Sequence, residues 1–307
     1  MRDLKDRCRL ALVQAEPVMF DKDACLRKAL ELIREAAGAD LIVFPELFIP
    51  GYPIGMNFGF SMGKRTEPGR TDWKRYYDAS LLADGPELKA LAQAAQEVKA
   101  YISIGFSERD ASTGTLYNSN AILSPQGEIS IHRKLKPTGS ERMVWGDANR
   151  DYFPVMETPW GPMGNLICWE SYMPLARVAL YQKGITIYIS PNTSDNPEWK
   201  ATIQHIAIEG KCFFINSDMI VHRGSYPADL ANPEDLRDLP ADPDALLCRG
   251  GSCVIDPYGH YVTEPVWDKE TIIYADLDMQ LAVSCRMEHD AVGHYSRPDV
   301  LELLVHE

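Results

Sequence analysis

No stretch of the sequence reaches the roughly 18 consecutive apolar residues that a membrane-crossing helix needs, so no membrane partner is expected. The opening MRDLKDRCRL carries charges where a secretory leader has its apolar region. Basic residues are in short supply: 31 Lys and Arg stand against 44 Asp and Glu, for a net charge of -13. Polyanions are held chiefly by Lys and Arg, so a nucleic-acid partner is not expected. CxxC pairs are missing from the seven cysteines Cys8, Cys25, Cys168, Cys212, Cys248, Cys253 and Cys285. That absence removes a structural zinc site and a thioredoxin-like motif, and the odd count argues against a secreted disulfide framework. Repeats, low-complexity tracts and linkers are absent too. What remains is the expectation of a cytoplasmic globular chain whose 307 residues form a single domain, 1–307, with 45% hydrophobic residues to build its core.

Strand-like and helix-like periods alternate along that chain. RLALVQA (9–15) predicts a buried strand, DKDACLRKALELIREAAG (21–38) an amphipathic helix, and DLIVFPE (40–46) a second strand. A helix over 86–99 leads to a strand over 101–108, and residues 117–135 predict a hairpin turning at Pro125 to Gly127. Then come a strand over GNLICWE (164–170), a helix from Pro174 to Gln182, a strand ITIYISP, a helix around Trp199 to Glu209 and a strand over 213–221. GGSCVIDPYGHYVTEP predicts another hairpin and TIIYADLD another strand. The mixture points to an α/β fold with large mixed sheets. Two stretches show no strong period: 49–80, rich in Gly, Pro and aromatics, is expected to be pocket wall, and 223–247, rich in Pro and Asp, an acidic surface loop.

Three apolar strands each end on a reactive side chain: Glu46 in LIVFPELFIPGYP, Lys134 in ISIHRKLKPTGSERMVWG and Cys168 in GNLICWESYMP. Ligands gather beyond strand ends in α/β sheets, so a carboxylate, an ammonium and a thiol can meet there. Such a trio suits covalent attack on an electron-poor carbon. The thiolate is the nucleophile, the cation favours it, and the carboxylate takes its proton. Lys134 and the backbone N–H of Trp169 would also face negative charge developing on a substrate heteroatom. Taken singly, each residue has a plainer reading: Cys168 as a small buried hydrophobe, Glu46 as the start of a solvated loop, Lys134 as a charge at an exposed strand end.

FPELFIPGYP, HRKLKPTGSERMVWGD and CWESYMPLAR, in this order, resemble the three motif blocks of the nitrilase branch of the carbon-nitrogen hydrolase superfamily. VGHYSRPDVL (292–301) resembles the same branch, so the likeness covers nearly the whole chain. The resemblance implies a four-layer αββα sandwich, one carbon-nitrogen hydrolase domain over 1–307, and a homodimer or larger homo-oligomer that can extend into a spiral. Carried over position by position, it makes Glu46 the base, Lys134 the charge stabiliser and Cys168 the nucleophile. A second family glutamate, seven residues after the lysine, is Glu141, which would position Lys134 or the attacking water. The implied reaction takes a small-molecule nitrile to its carboxylic acid and ammonia through a cysteine thioimidate and thioester, with no metal and no organic cofactor. GDANRDYFP replaces the glycine-rich continuation common after the second block, a departure that bears on substrate preference. Tyr52 and Trp169 are candidate substrate-binding walls, against the ordinary role of aromatics as core. Glu141 has a plain alternative in a solvated pair with Arg142 or Arg133.

Other chemistries compete. An amidase of the same superfamily would share the thioester at Cys168. GFSMG (59–63) fits the G-x-S-x-G pattern of a serine hydrolase with Ser61 as nucleophile, but the flanking PGYPIGMNF and GKRTEPG are loop-like where a nucleophile elbow needs a strand and a helix. A non-catalytic oligomeric scaffold would have little reason to keep Glu46, Lys134 and Cys168 together. NTS (192–194) matches a glycosylation acceptor, a pattern that means little without secretion.

Overall fold

The computed structural model describes residues 4–194, 196 and 198–306. The first half of the chain runs through β1 (Arg7–Gln14), α1 (Lys22–Glu35), β2 (Leu41–Val43), α2 (Glu67–Ala79), α3 (Pro86–Val98), β3 (Tyr101–Arg109), β4 (Leu116–Leu123) and β5 (Ile129–Arg133). The second half runs through β6 (Val155–Met156), β7 (Met163–Asn165), α4 (Pro174–Gln182), β8 (Ile187–Asn192), α5 (Trp199–Gly210), β9 (Phe213–Asp218), β10 (Ile220–His222), β11 (Leu246–Ile255), β12 (Tyr261–Trp267) and β13 (Thr271–Asp278).

The strands build two mixed sheets. The first has six strands in the order β13-β1-β2-β3-β4-β5, and the second has seven, β10-β11-β9-β8-β7-β6 with β12 paired to β11. β1, β2 and β3 run parallel, as do β7, β8 and β9. β13 returns to pair with β1 in antiparallel register, from Arg7 opposite Asp278 to Gln14 opposite Thr271.

Side-chain alternation along the strands sorts the core into layers. Leu10, Leu12, Leu41 and Val43 of the first sheet face Ile187, Ile189, Phe213 and Ile215 of the second. The intervening Ala11, Val13 and Ile42 point the other way, under Ala29 and Ile33 of α1 and Leu88 and Leu91 of α3. On the far side, Ala176 and Leu180 of α4 and Ile203 and Ile206 of α5 cover Tyr188 and Phe214. The order is helix, sheet, sheet, helix, the αββα sandwich that the family resemblance implies. α1 shows the local logic: Asp21 caps it by accepting from the Ala24 N–H at 2.9 Å, and Cys25, Ala29 and Ile33 recur every four residues as its buried stripe. Among the described residues no helix is long and apolar enough to cross a membrane.

Three expectations need correction. The strand expected over 164–170 stops at Asn165, and Cys168–Tyr172 is a 3₁₀ turn. An apolar run does not by itself separate a strand from a buried turn. Here the Glu170 carboxylate reaches back to accept from the Ile167 N–H at 2.7 Å and bends the chain out of the sheet. The stretch 49–80 contains α2, which Thr66 caps by accepting from the Gly69 N–H at 3.1 Å, with Pro68 in the first turn where no N–H is needed. Segment 223–247 is more than surface. Tyr226, Leu230 and Leu236 are buried with Phe58 and Tyr76, and Asp72 of α2 accepts from the Ala231 and Asn232 N–H groups at 2.9 Å and 2.7 Å.

Candidate active site

Glu46 lies just past β2, in a turn that passes through Leu47 at φ 48°. β3 crosses so close behind this turn that only glycine fits at Gly105: a Cβ there would stand 2.5 Å from both the Leu47 nitrogen and the Pro45 oxygen. Lys134 directly follows β5, its backbone N–H donating to the Asn118 carbonyl of β4 at 2.8 Å. Cys168 opens the 3₁₀ turn beyond β7 with φ 54°, a left-handed conformation that a residue with a Cβ adopts only when its surroundings hold it there.

These three elements deliver their side chains to one buried place. Lys134 Nζ lies 2.9 Å from Glu46 Oε1 and 2.9 Å from Glu141 Oε2, and both carboxylates are buried with it. Glu46 Oε1 also accepts from Asn118 Nδ2 at 2.7 Å. Glu141 Oε1 accepts from the Tyr52 hydroxyl at 2.8 Å and Oε2 from the Thr138 N–H at 2.7 Å, so its 3₁₀ turn aims it at the lysine. The solvated pairing of Glu141 with Arg142 or Arg133 does not form: Arg133 is buried on Glu108, and Glu141 faces Lys134.

Burial sets the electrostatics. It pushes the Glu46 carboxyl above the usual carboxylate range, with Lys134 pulling down and Glu141 pushing up. It works against the Lys134 ammonium, but Glu46, Cys168 and Glu141 more than offset it and raise the lysine above its ordinary value. The Cys168 thiol is raised well above its ordinary value by burial first and Glu46 second, with Lys134 opposing. Both shifts favour a protonated Lys134 and a neutral Cys168 thiol at rest. Tyr52, raised by burial and then by Glu141, stays a phenol and can donate.

Not every candidate joins this cluster. Trp169 is 43% exposed and packs edge-on against Tyr172, ring centroids 5.6 Å apart. Ser61 is exposed in a loop bridge to Lys64, with neither strand before it nor helix directly after it, which removes the serine-hydrolase geometry. Asn192 is buried on β8, out of reach of a glycosylating enzyme. The other six cysteines are buried; burial pushes the Cys25 and Cys212 thiols up to about 12 and Cys285 to about 11. Among the described residues no three His, Cys, Asp or Glu gather as metal ligands. Sequence reasoning missed Asn118, Glu170 and His132. Glu170 carried a weak signal, a carboxylate two residues after the thiol; the other two carried none.

Comparison with known proteins extends this picture. The carbon-nitrogen hydrolase family pattern matches residues 9–287. A protein named aliphatic nitrilase from Sinorhizobium fredii (strain HH103) is 44% identical over 97% of this chain and 96% of its own length. A bifunctional nitrilase/nitrile hydratase from Lupinus angustifolius is 42% identical over 97% of this chain and 85% of its own. In structure, Nit3 of Saccharomyces cerevisiae, described as a member of branch 10 of the nitrilase superfamily, aligns with a TM-score of 0.74 over 96% of this chain and 98% of that one, and at 20% identity it speaks for the fold alone. With the family pattern running from residue 9 to residue 287 and the sequence likeness nearly end to end, this chain belongs to the carbon-nitrogen hydrolase family.

Proposed function

We propose that the chain is a nitrilase, converting an organic nitrile to its carboxylic acid and ammonia, with Cys168 as nucleophile, Glu46 as base, Lys134 as charge stabiliser and Glu141 as the residue that orients Lys134. The observation that carries the reading is the buried Lys134 ammonium held 2.9 Å from Glu46 and 2.9 Å from Glu141. As sulfur attacks the nitrile carbon, Glu46 takes the thiol proton. The nitrogen gains negative charge, takes a proton from Lys134 and becomes a thioimidate, and Lys134 is reprotonated by Glu46. Water then adds, giving up a proton to Glu46, and forms a tetrahedral centre. Glu46 passes that proton through Lys134 to the nitrogen, and as the carbonyl forms the hydroxyl proton follows by the same route, so that nitrogen leaves as ammonia and a thioester remains with Glu46 free again. A second water, activated by Glu46, releases the acid and returns the proton to sulfur. Departure of sulfur from the tetrahedral centre would release an amide instead, and a lysine fixed by two carboxylates favours loss of nitrogen by keeping it protonated. Every step is served by side chains, without metal or organic cofactor.

An amidase would use the same residues. Relatives at 40 to 44% identity carry nitrilase names, which favours nitrile over amide. Tyr52, half-buried beside Glu141, and Trp169 supply the walls against which the substrate's organic group rests. The whole chain works as one domain in a homodimer or larger homo-oligomer extendable to a spiral, a reading supported by the exposed apolar residues Tyr172, Met173 and Leu175 that lead into α4. A cytoplasmic setting accords with the odd count of cysteines, which argues against a secreted disulfide framework. A panel of aliphatic, arylacetic and aromatic nitriles and cyanide, with product analysis, tests the reaction. Carboxylate and ammonia are expected; a panel returned unchanged while simple amides release ammonia would replace the nitrilase with the amidase.

A further inference from the structure

Glu170 takes no part in the reaction above, yet its buried carboxylate is fully engaged. Oε1 accepts from the Leu135 N–H at 2.8 Å, and Oε2 accepts from the Ile167 N–H at 2.7 Å. His132 Nε2 lies 3.0 Å and 2.9 Å from the two oxygens. Leu135 directly follows Lys134, and Ile167 directly precedes Cys168. β5 and β7 belong to different sheets, so this one carboxylate joins the two layers at the residues next to the ammonium and the thiol.

We infer that Glu170 is a positioning residue that clamps the Lys134-bearing end of β5 to the Cys168-bearing turn after β7, with His132 orienting the clamp. A carboxylate taken out of water must be matched by donors, and bonds to a charged acceptor are the strong ones. Closing the 3₁₀ turn needs only the bond to Ile167. The bonds to Leu135 and His132 span 35 and 38 residues to the other sheet and do something a cap does not: they fix how Lys134 and Cys168 approach each other. The bond to Ile167 also holds the turn in which Cys168 keeps its left-handed backbone. The inference rests on the roles proposed for Lys134 and Cys168.

Two readouts test it, one of them independent of any substrate. Iodoacetamide alkylation of Cys168, followed by peptide mass as a function of pH, reads the pairing of thiol and ammonium. kcat and KM are read on a nitrile that the wild type turns over. Glu170→Gln keeps the shape but presents an NH₂ to one backbone N–H. Its alkylation profile should move to higher pH, and kcat should fall by about 10-fold or more with KM changed less than about threefold. His132→Leu, which removes one donor, should lower kcat about fivefold, whereas His132→Gln, which keeps a donor, should stay within about twofold of wild type. Glu170→Gln that is folded, with wild-type alkylation and kcat and only a lower melting temperature, overturns the inference and leaves Glu170 a cap. Should Glu170→Gln fail to fold, equal kcat in the two His132 variants overturns it. A wild type that turns over no nitrile defeats the nitrilase reading instead, and alkylation in the variants still decides the clamp.

Discussion

Asn118 Nδ2 donates to Glu46 Oε1 at 2.7 Å, the same oxygen that Lys134 Nζ approaches to 2.9 Å. Both donors fall on one oxygen. Glu46 Oε2 is buried without a donor among the described residues, so it is the lone-pair site open to a proton. The Asn118 carbonyl meanwhile accepts from the Lys134 N–H, so one β4 residue holds both the proposed base and the proposed stabiliser in place. Asn118→Ala should leave the fold intact and lower kcat about 10-fold, on the scale of a mispositioned general base. A wild-type kcat in a steady-state assay would show that Lys134 alone orients Glu46.

Cys168 is the only one of the seven cysteines for which a covalent role is proposed, and the rest are raised by burial or packed as core. Cys168→Ala should give a folded protein with no measurable turnover, because the covalent route is gone while one small side chain is trimmed. Ser61→Ala, at an exposed loop position, should keep activity near wild type. Thermal melts beside the activity assay separate the cases: loss of fold with activity in Cys168→Ala would make the cysteine structural.

The raised Glu46 carboxyl fixes a sign for pH dependence. A base works only when ionised, so kcat/KM should fall as pH drops through the Glu46 pKa. Burial puts that pKa above the ordinary carboxylate, about 4.3. Lys134 is raised, so it stays protonated through the neutral range and contributes no basic limb there. A kcat/KM profile on a nitrile substrate whose acid limb falls at or below the ordinary carboxylate value would contradict this assignment. Glu46→Gln and Lys134→Ala should each lower kcat about 100-fold or more.

How far the sequence carries the reader depends on whether a signal is local. β1 and α1 are legible because apolar residues recur at periods of two and four within one segment. Glu46, Lys134 and Cys168 are legible because each stands at the end of an apolar run. α2 is hidden because its Pro, Gly and aromatics imitate a loop, and only the Thr66 cap with Pro68 in the first turn makes a helix of them. Asn118 and His132 are silent for another reason. Each is an ordinary polar residue inside a strand, and its meaning comes from register: Asn120 opposite His132 and Ser119 opposite Arg133 carry Asn118 to the level of Lys134. Glu170 acquires its role only when two sheets meet, which no single segment can encode.

Gly105 offers a test of how tightly the Glu46 turn is held. Its φ is ordinary, so substitution there is a question of space alone. An added Cβ would meet the Leu47 nitrogen and the Pro45 oxygen at 2.5 Å and the Glu46 Cα at 2.7 Å, all backbone atoms that cannot swing aside as a side chain would. The Gly105 N–H also donates to the Pro45 carbonyl at 3.2 Å, so β3 and the turn cannot part without breaking a bond. Gly105→Ala must therefore displace the turn that carries Glu46. Overpacking of this kind costs about 1–3 kcal/mol of stability, and a shift of about 1 Å in a reacting group costs on the order of 100-fold in rate. Circular dichroism melts and kcat measured well below the melting temperature should show a modestly destabilised, folded protein with kcat reduced by that order. A folded Gly105→Ala protein working at the wild-type rate would mean that the position of Glu46 does not depend on β3 at its back.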